Sequence, residues 1–244
     1  MINDIVSILW KEWRELFRQR GLRSALVNWG VMVFLIGVLM PTQVGAEWFS
    51  IPMLSLIWCW MPMLAVAGTV TDAFAGERER HTLETLLASR MPDRGIFAGK
   101  LLTSVLFGWS IQLGGLMAAT ITINVTYGKG QFLFYSLDFF AVWLVITLLL
   151  MTLISAIGVL VSLRSSTVRQ AYQKMSLAFL ALVFIPTILG PMLPSNMLAA
   201  VNNFLVNTPP VPALWAACAV FLVFDLGLVA FGLARFQRAR LILD

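Results

Sequence analysis

Charge is what this 244-residue sequence has least of: Asp, Glu, Lys and Arg make up 12% of it, against 59% hydrophobic residues. Its mean hydropathy is +0.86. A water-soluble domain carries roughly 25% charged residues, so a soluble fold of this length could not hide the apolar surface and the solvent has to be lipid. Histidine occurs once, at His81, which excludes a metal centre or proton relay built from histidines. The two cysteines, Cys59 and Cys218, fall in different apolar runs, form no C-x-x-C pair and read as buried hydrophobes. The 12 methionines are scattered without close spacing, which argues against a soft-metal site. No nucleophile-elbow pattern is present. The stretch GIFAGKLL imitates a phosphate-binding loop, but only three residues separate Gly95 from Gly99 where the loop needs four, and Leu101 stands where it needs Ser or Thr. The sequence therefore predicts no catalytic residue, no metal ligand and no nucleotide site of its own.

Long apolar runs are what it has instead. A bilayer core takes about 20 helical residues, and six runs approach or exceed that: Ser24–Met40, Trp48–Thr71, Leu101–Ile123, Phe139–Ser162, Met175–Leu193 and Val211–Ala234. Pro41 is expected to stop the first, while Pro62 and Pro186 should kink the second and fifth. Between the runs, Lys11, Arg14, Arg18, Arg20 and Arg23 precede the first span. Arg78, Arg80, Arg90, Arg94 and Lys100 follow the second, Arg164, Arg169 and Lys174 the fourth, and Arg235, Arg238 and Arg240 the last. Of the 17 Lys and Arg, only Lys129 falls on the other side. The positive-inside rule makes the basic side cytoplasmic. The expectation is an all-α, multi-pass protein of the cytoplasmic (inner) membrane with both termini inside. The pI near 9.7 then reads as an orientation signal and not as a nucleic-acid footprint. No cleavable signal peptide is legible.

The flanking segments have their own character. Residues 1–23 carry Ile5, Ile8, Leu9, Trp13, Leu16 and Phe17 near one helical face, with Lys11, Arg14, Glu15 and Arg18 largely opposite. This predicts an amphipathic helix lying in the inner headgroup plane, with Trp10 and Trp13 at the boundary. On the outer side, Tyr127, Phe132, Phe134 and Tyr135 suit an aromatic belt, and Asn124-Val-Thr126 is a common chance match to a glycosylation sequon. Residues 190–210, apolar yet broken by Pro191, Pro194, Pro209 and Pro210, read as a re-entrant segment with a short helix capped by Ser195 or Asn196. Asp225 is the one acid deep in a predicted span. It either lines a substrate or ion path or makes an interhelical hydrogen bond, with Gln112 as the candidate partner.

The charges gather in one hairpin, residues 72–100: DAFAGERERHTLETLLASRMPDRGIFAGK. Glu77 and Arg80, three apart, can pair on a helix. A second, short helix follows, with Thr82 as N-cap, Glu84 near its positive end and Arg90 near its negative end. Leu83, Leu86 and Leu87 form one apolar stripe, and MPDRG turns the chain into the third span. Two turns of helix are marginal in water alone, so the leucines need cover. The cover is either the protein's own inner surface or a groove on a soluble partner.

The segment DAFAGERERHTLETLLASRMPDRGIFAGKLL resembles the signature of ATP-binding-cassette (ABC) transporter permeases of the type-2 exporter family. Those proteins show a Gly-Glu-Arg-Glu stretch, Gly-Thr-Leu-Glu-x-Leu-Leu, a turn with proline, and Gly-Lys entering the third span. His81 stands where the family usually has glycine, a departure that concerns local backbone geometry. The resemblance implies a coupling helix at Thr82–Arg90 that docks into a separate cytosolic ATPase subunit. Leu83, Leu86 and Leu87 would be its buried anchor, Glu77, Arg78, Glu79, Arg80 and Arg90 would set register, and Thr82 and Glu84 would lie in the same interface. It further implies two ATPase copies holding ATP and Mg, a second permease copy or a paralogue, surrounding membrane lipid, and export. A membrane-embedded enzyme built on Asp72, Glu77, Glu79 and His81, or a non-transporting anchor for an ATPase, are the rival readings.

Overall fold

The computed structural model describes residues 2–19, 22–51, 53–88, 91–189, 192, 194–199, 203 and 209–236. Among these the chain is helical, with no strand. Five stretches are long and apolar enough to cross a membrane: Leu26–Val44, Met53–Glu79, Asp93–Tyr127, Leu137–Leu163 and Pro210–Arg235. The membrane character expected from composition is therefore present in the fold.

Helix α1 (Ile2–Gln19) leads through α2 (Leu22–Phe34) into a wide π-helical turn, Leu35–Leu39, and then α3 (Met40–Val44). The first span thus runs past Pro41 instead of stopping there. A proline inside a helix lacks its N–H and presses its ring on the carbonyl four residues back. Here the wide turn, in which the Met40 N–H reaches the Leu35 carbonyl, opens the ladder just before the ring. The helix ends at Gly45, whose φ of 75° suits glycine.

The second expected span is built from pieces: α4 (Glu47–Ser50), α5 (Met53–Ile57), a turn at Trp58–Cys59, and α6 (Trp60–Glu79). Pro62 falls in the first turn of α6, where the missing N–H costs nothing. The chain breaks before it and does not kink around it. After α7 (Leu83–Leu87), α8 (Asp93–Tyr127) runs unbroken for 35 residues. At 1.5 Å per residue that is roughly 50 Å, more than a bilayer core of about 30 Å, so one end must project beyond it. Helix α9 (Leu137–Leu163) opens on Ser136, whose hydroxyl accepts from the Phe139 N–H at 3.4 Å.

The fifth expected span falls on α10 (Val168–Leu189), which runs through Pro186. Arg169, Gln170, Gln173 and Lys174 fill its opening turns, and its apolar part follows them. That apolar part begins at Met175, as expected, and the expected end at Leu193 lies outside the described residues. The expected re-entrant segment, 190–210, lies mostly outside the described residues. Within it 195–199 are helical, and the Pro194 carbonyl accepts from Met197 and Leu198 at 2.9 and 3.1 Å. The last span, α11 (Pro210–Arg235), packs along α9.

Helix α8 is the central strut, touched by α1, α2, α6 and α9. One apolar core gathers Val66, Val70, Phe74, Ile96, Phe97, Met151 and Phe236 towards the basic end. A second gathers Trp48, Phe49, Ile123, Phe139 and Trp143 at the other end. There Asn124 uses its side chain to close the loop, accepting from the Leu133 N–H at 2.7 Å and donating to the Leu133 carbonyl at 2.8 Å.

Candidate functional site at the basic end

The two glycines that imitate a phosphate loop serve as a packing notch. Gly95 and Gly99 lie one turn apart on α8, and α1 rests on them. A Cβ on Gly99 would stand 2.6 Å from Ile8 Cγ2, and one on Gly95 would stand 3.5 Å from Asp4 Cβ. Small residues at this spacing let two helix backbones approach closely. The approach carries Glu12 of α1 to Lys100, the residue after the notch. Lys100 is only 1% exposed, with its Nζ 2.7 Å from Glu12 Oε1 and 3.3 Å from Glu77 Oε1. Lys11 joins from the rim, 3.2 Å from Glu77 and 3.5 Å from Glu15. Burial pulls the Lys11 ammonium down, but Glu77, Glu15 and Glu12 outweigh it and leave Lys11 above its ordinary value. The carboxylates of Glu12, Glu15 and Glu77 converge within 4.8 Å of one another, and the two ammonium groups already hold them together.

The remaining hairpin charges each bind a different helix. Arg78 donates to the Ser165 carbonyl at 2.6 Å and the Leu163 carbonyl at 3.3 Å. It thus satisfies the acceptor-rich end of α9. Glu79 accepts from the Val168 N–H at 3.1 Å, at the donor-rich start of α10. Arg80 turns back to Asp72 at 2.7 Å, so the expected Glu77–Arg80 pair does not form. Glu77 lies inside with the lysines instead, because a buried carboxylate needs a buried cation. Thr82 does not cap α7 through its side chain. Its hydroxyl bonds the Glu77 carboxylate, drawn off by the stronger acceptor.

His81 has φ 55°. This is the left-handed region that glycine enters without strain. A histidine thus stands at a position whose backbone favours glycine. Beyond it, α7 folds back under the bundle. Leu83 and Leu86 are each 7% exposed and join the core of Ile8, Phe74, Ile96 and Phe97. Two of the three leucines expected to enter a partner, Leu83 and Leu86, are thus packed against the protein itself. A five-residue helix tethered on both sides lies on the nearest apolar floor. The Leu87 side chain and Arg90 lie outside the described residues. What α7 presents outward is Thr82, Glu84, Thr85 and Ala88, beside exposed Arg80 and His81. A cleft of about 410 Å³ between α1, the end of α6 and α7 is lined by Lys11, Glu15, Arg80, Thr82 and Thr85.

Behind the hairpin, Ser162 of α9 inserts its hydroxyl into α6. It accepts from the Phe74 and Ala75 N–H groups at 3.1 and 3.0 Å and donates to the Thr71 carbonyl at 2.9 Å. Nothing in the sequence singles this serine out within an apolar run. Of the four groups of the enzyme reading, Asp72 and Glu77 line one cavity with Glu12, Glu15 and Lys100, which Glu79 and His81 do not line. Asp72 is bound to Arg80, Glu77 to the lysines and Glu79 to α10, while His81 is exposed.

In the spans, the anticipated Asp225–Gln112 bond is absent. The Gln112 amide donates to Cys59 Sγ at 3.2 Å, since α6 and not α11 lies beside that face of α8. Asp225 is 3% exposed, and neither carboxylate oxygen has a partner among the described residues. Searches of protein-family models and of curated proteins find no match.

Proposed function

We propose that the chain is the permease subunit of an ABC transporter of the type-2 exporter kind. The basic end faces the cytosol of a cell with an inner membrane, and both termini lie there. A second copy or a paralogue completes the pathway across six spans, with α10 as the fifth. ATP and Mg are held by two separate cytosolic ATPase subunits, and export is the direction. One observation carries this reading beyond the signature itself. Within four residues the hairpin binds α1 and α8 through Glu77, α9 through Arg78 and α10 through Glu79. A push on α7 would then be shared among four helices, as rigid-body coupling requires.

The contact with the ATPase is reassigned by burial: Thr82, Glu84, Thr85 and Ala88 touch the partner, while Leu83 and Leu86 hold α7 to the bundle. The test is affinity purification of the tagged chain with the ABC ATPase encoded beside it. The wild type and Leu86→Met should retain the ATPase, and Thr85→Arg with Ala88→Glu should lose it. Absence of any ATPase from the wild-type preparation, or full retention by the double variant, overturns the proposal.

A further inference from the structure

Between α1 and α8 lies a second groove, of about 380 Å³, walled by Leu9, Trp10 and Trp13 on one side and Leu106, Trp109 and Leu113 on the other. Two of the polar groups along it are engaged within the protein. The Trp109 indole donates to Thr147 at 3.3 Å. Ser110, at the groove's edge, donates to the Phe107 carbonyl at 2.7 Å and accepts from Trp29 at 3.3 Å. The lining that remains is hydrocarbon and aromatic face. The α8 wall belongs to a membrane-crossing stretch, so the groove opens at bilayer depth. At its α1 rim the chemistry changes. The Arg14 guanidinium stands 4.8 Å from the centroid of the Trp10 ring. Arg14 makes no ion pair among the described residues, whereas Lys11 is committed to Glu77 and Glu15. Trp10 itself is 56% exposed, as suits a side chain that meets both water and lipid.

We infer that this groove holds one anionic phospholipid from the leaflet that meets the basic face. Its acyl chain lies between Trp13, Leu106, Trp109 and Leu113, and its phosphate lies at Arg14. A groove apolar along its length and cationic at one rim matches an amphiphile with a phosphate head. A second protein helix would leave Arg14 without a counter-charge. An anionic head fits better than a zwitterionic one because the cation at the rim is unopposed and the whole face is basic. The inference rests on the membrane setting alone and stands whether or not the chain partners an ATPase.

The full-length chain, purified in detergent and depleted of lipid, is titrated with phosphatidylglycerol and with phosphatidylethanolamine and read by native mass spectrometry. One phosphatidylglycerol should bind roughly fivefold more tightly than phosphatidylethanolamine, the scale of one basic residue's pull on an anionic head. Arg14→Gln, a change at an exposed position, should erase that preference while leaving weak binding of both. Leu113→Trp, which fills the groove, should reduce binding of both lipids, with far-UV circular dichroism confirming an unchanged helix content. Equal binding of the two lipids by the wild type overturns the inference, and so does an unaltered preference in Arg14→Gln. A change of oligomeric state with lipid binding intact in Leu113→Trp also overturns it, assigning the groove to a second copy.

Discussion

The Lys100 ammonium, buried in α8, lies 2.7 Å from the Glu12 carboxylate of α1, and this contact joins residues 88 positions apart. Glu77 closes the same cluster from the end of α6. One lysine thereby fixes an N-terminal helix, a hairpin and a membrane span to each other. Replacing one member of such a buried cluster strands the others, at a cost of about 3–5 kcal/mol, while an apolar replacement of the whole is often neutral. Lys100→Met should therefore lower the thermal unfolding midpoint in detergent sharply. Lys100→Met with Glu12→Gln and Glu77→Gln should recover much of it. A single variant as stable as the wild type would mean that the cluster does not hold α1.

The glycine notch tests the same junction by packing. Gly99→Ala places a methyl group 2.6 Å from Ile8 Cγ2, and overpacking of this kind costs about 1–3 kcal/mol. Ile8→Ala in the same chain should return part of the loss, a positive coupling that a double-mutant cycle reads directly. Gly30→Ala is the control, since nothing lies within 4 Å of its added Cβ. Equal effects at Gly99 and Gly30 would show that α1 does not rest on the notch.

How far the sequence could be read shows in these two junctions. Long apolar runs announce spans because period and length are local properties. The fourth expected span, Phe139–Ser162, matches α9 to within two residues at either end. The gathering of charge at 77–80 is equally visible, but its partners are not. They come from Lys11, Lys100, Ser165 and Val168, and only the tertiary fold sets those distances. The leucine stripe of α7 states that Leu83 and Leu86 need cover, yet periodicity is silent on what supplies it. Pro41 misled because a proline is a reliable stop only in a regular α-helix, and the π turn before it is a property of packing.

His81 offers a stability gain. A non-glycine residue in the left-handed region costs roughly 1–2 kcal/mol, and glycine removes that strain while adding some unfolded-state entropy. His81→Gly should raise unfolding stability by the remainder, about 1 kcal/mol, read as a higher midpoint, without altering partner retention. A lower midpoint would mean that the imidazole makes a contact worth more than the strain.

Ser162 should act as a clasp between α9 and α6. Ser162→Ala removes the hydroxyl's bonds to the Thr71 carbonyl and the Phe74 and Ala75 amides, and a hydrogen bond contributes about 0.5–1.5 kcal/mol. Hydrogen exchange at Phe74 and Ala75 should quicken in this variant, while exchange in the far half of α9, around Phe139–Trp143, stays as it is. Faster exchange everywhere would indicate general destabilisation and remove the local role.

Asp225 separates stability from function. Its two oxygens lie buried without a partner among the described residues, an arrangement that costs several kcal/mol in a bilayer. Proteins keep such a cost mainly where the group is used. Asp225→Leu removes the orphaned carboxyl at similar volume, so unfolding stability should rise by about 2 kcal/mol or more, read as a higher thermal midpoint. Asp225→Asn, which still buries polar atoms, should recover less. If the residue lines the transport pathway, both variants lose substrate-stimulated ATPase activity of the reconstituted complex despite being at least as stable as the wild type. A fall in stability on Asp225→Leu would show that the carboxyl is bound by a partner subunit or lipid, and the pathway role would go with it.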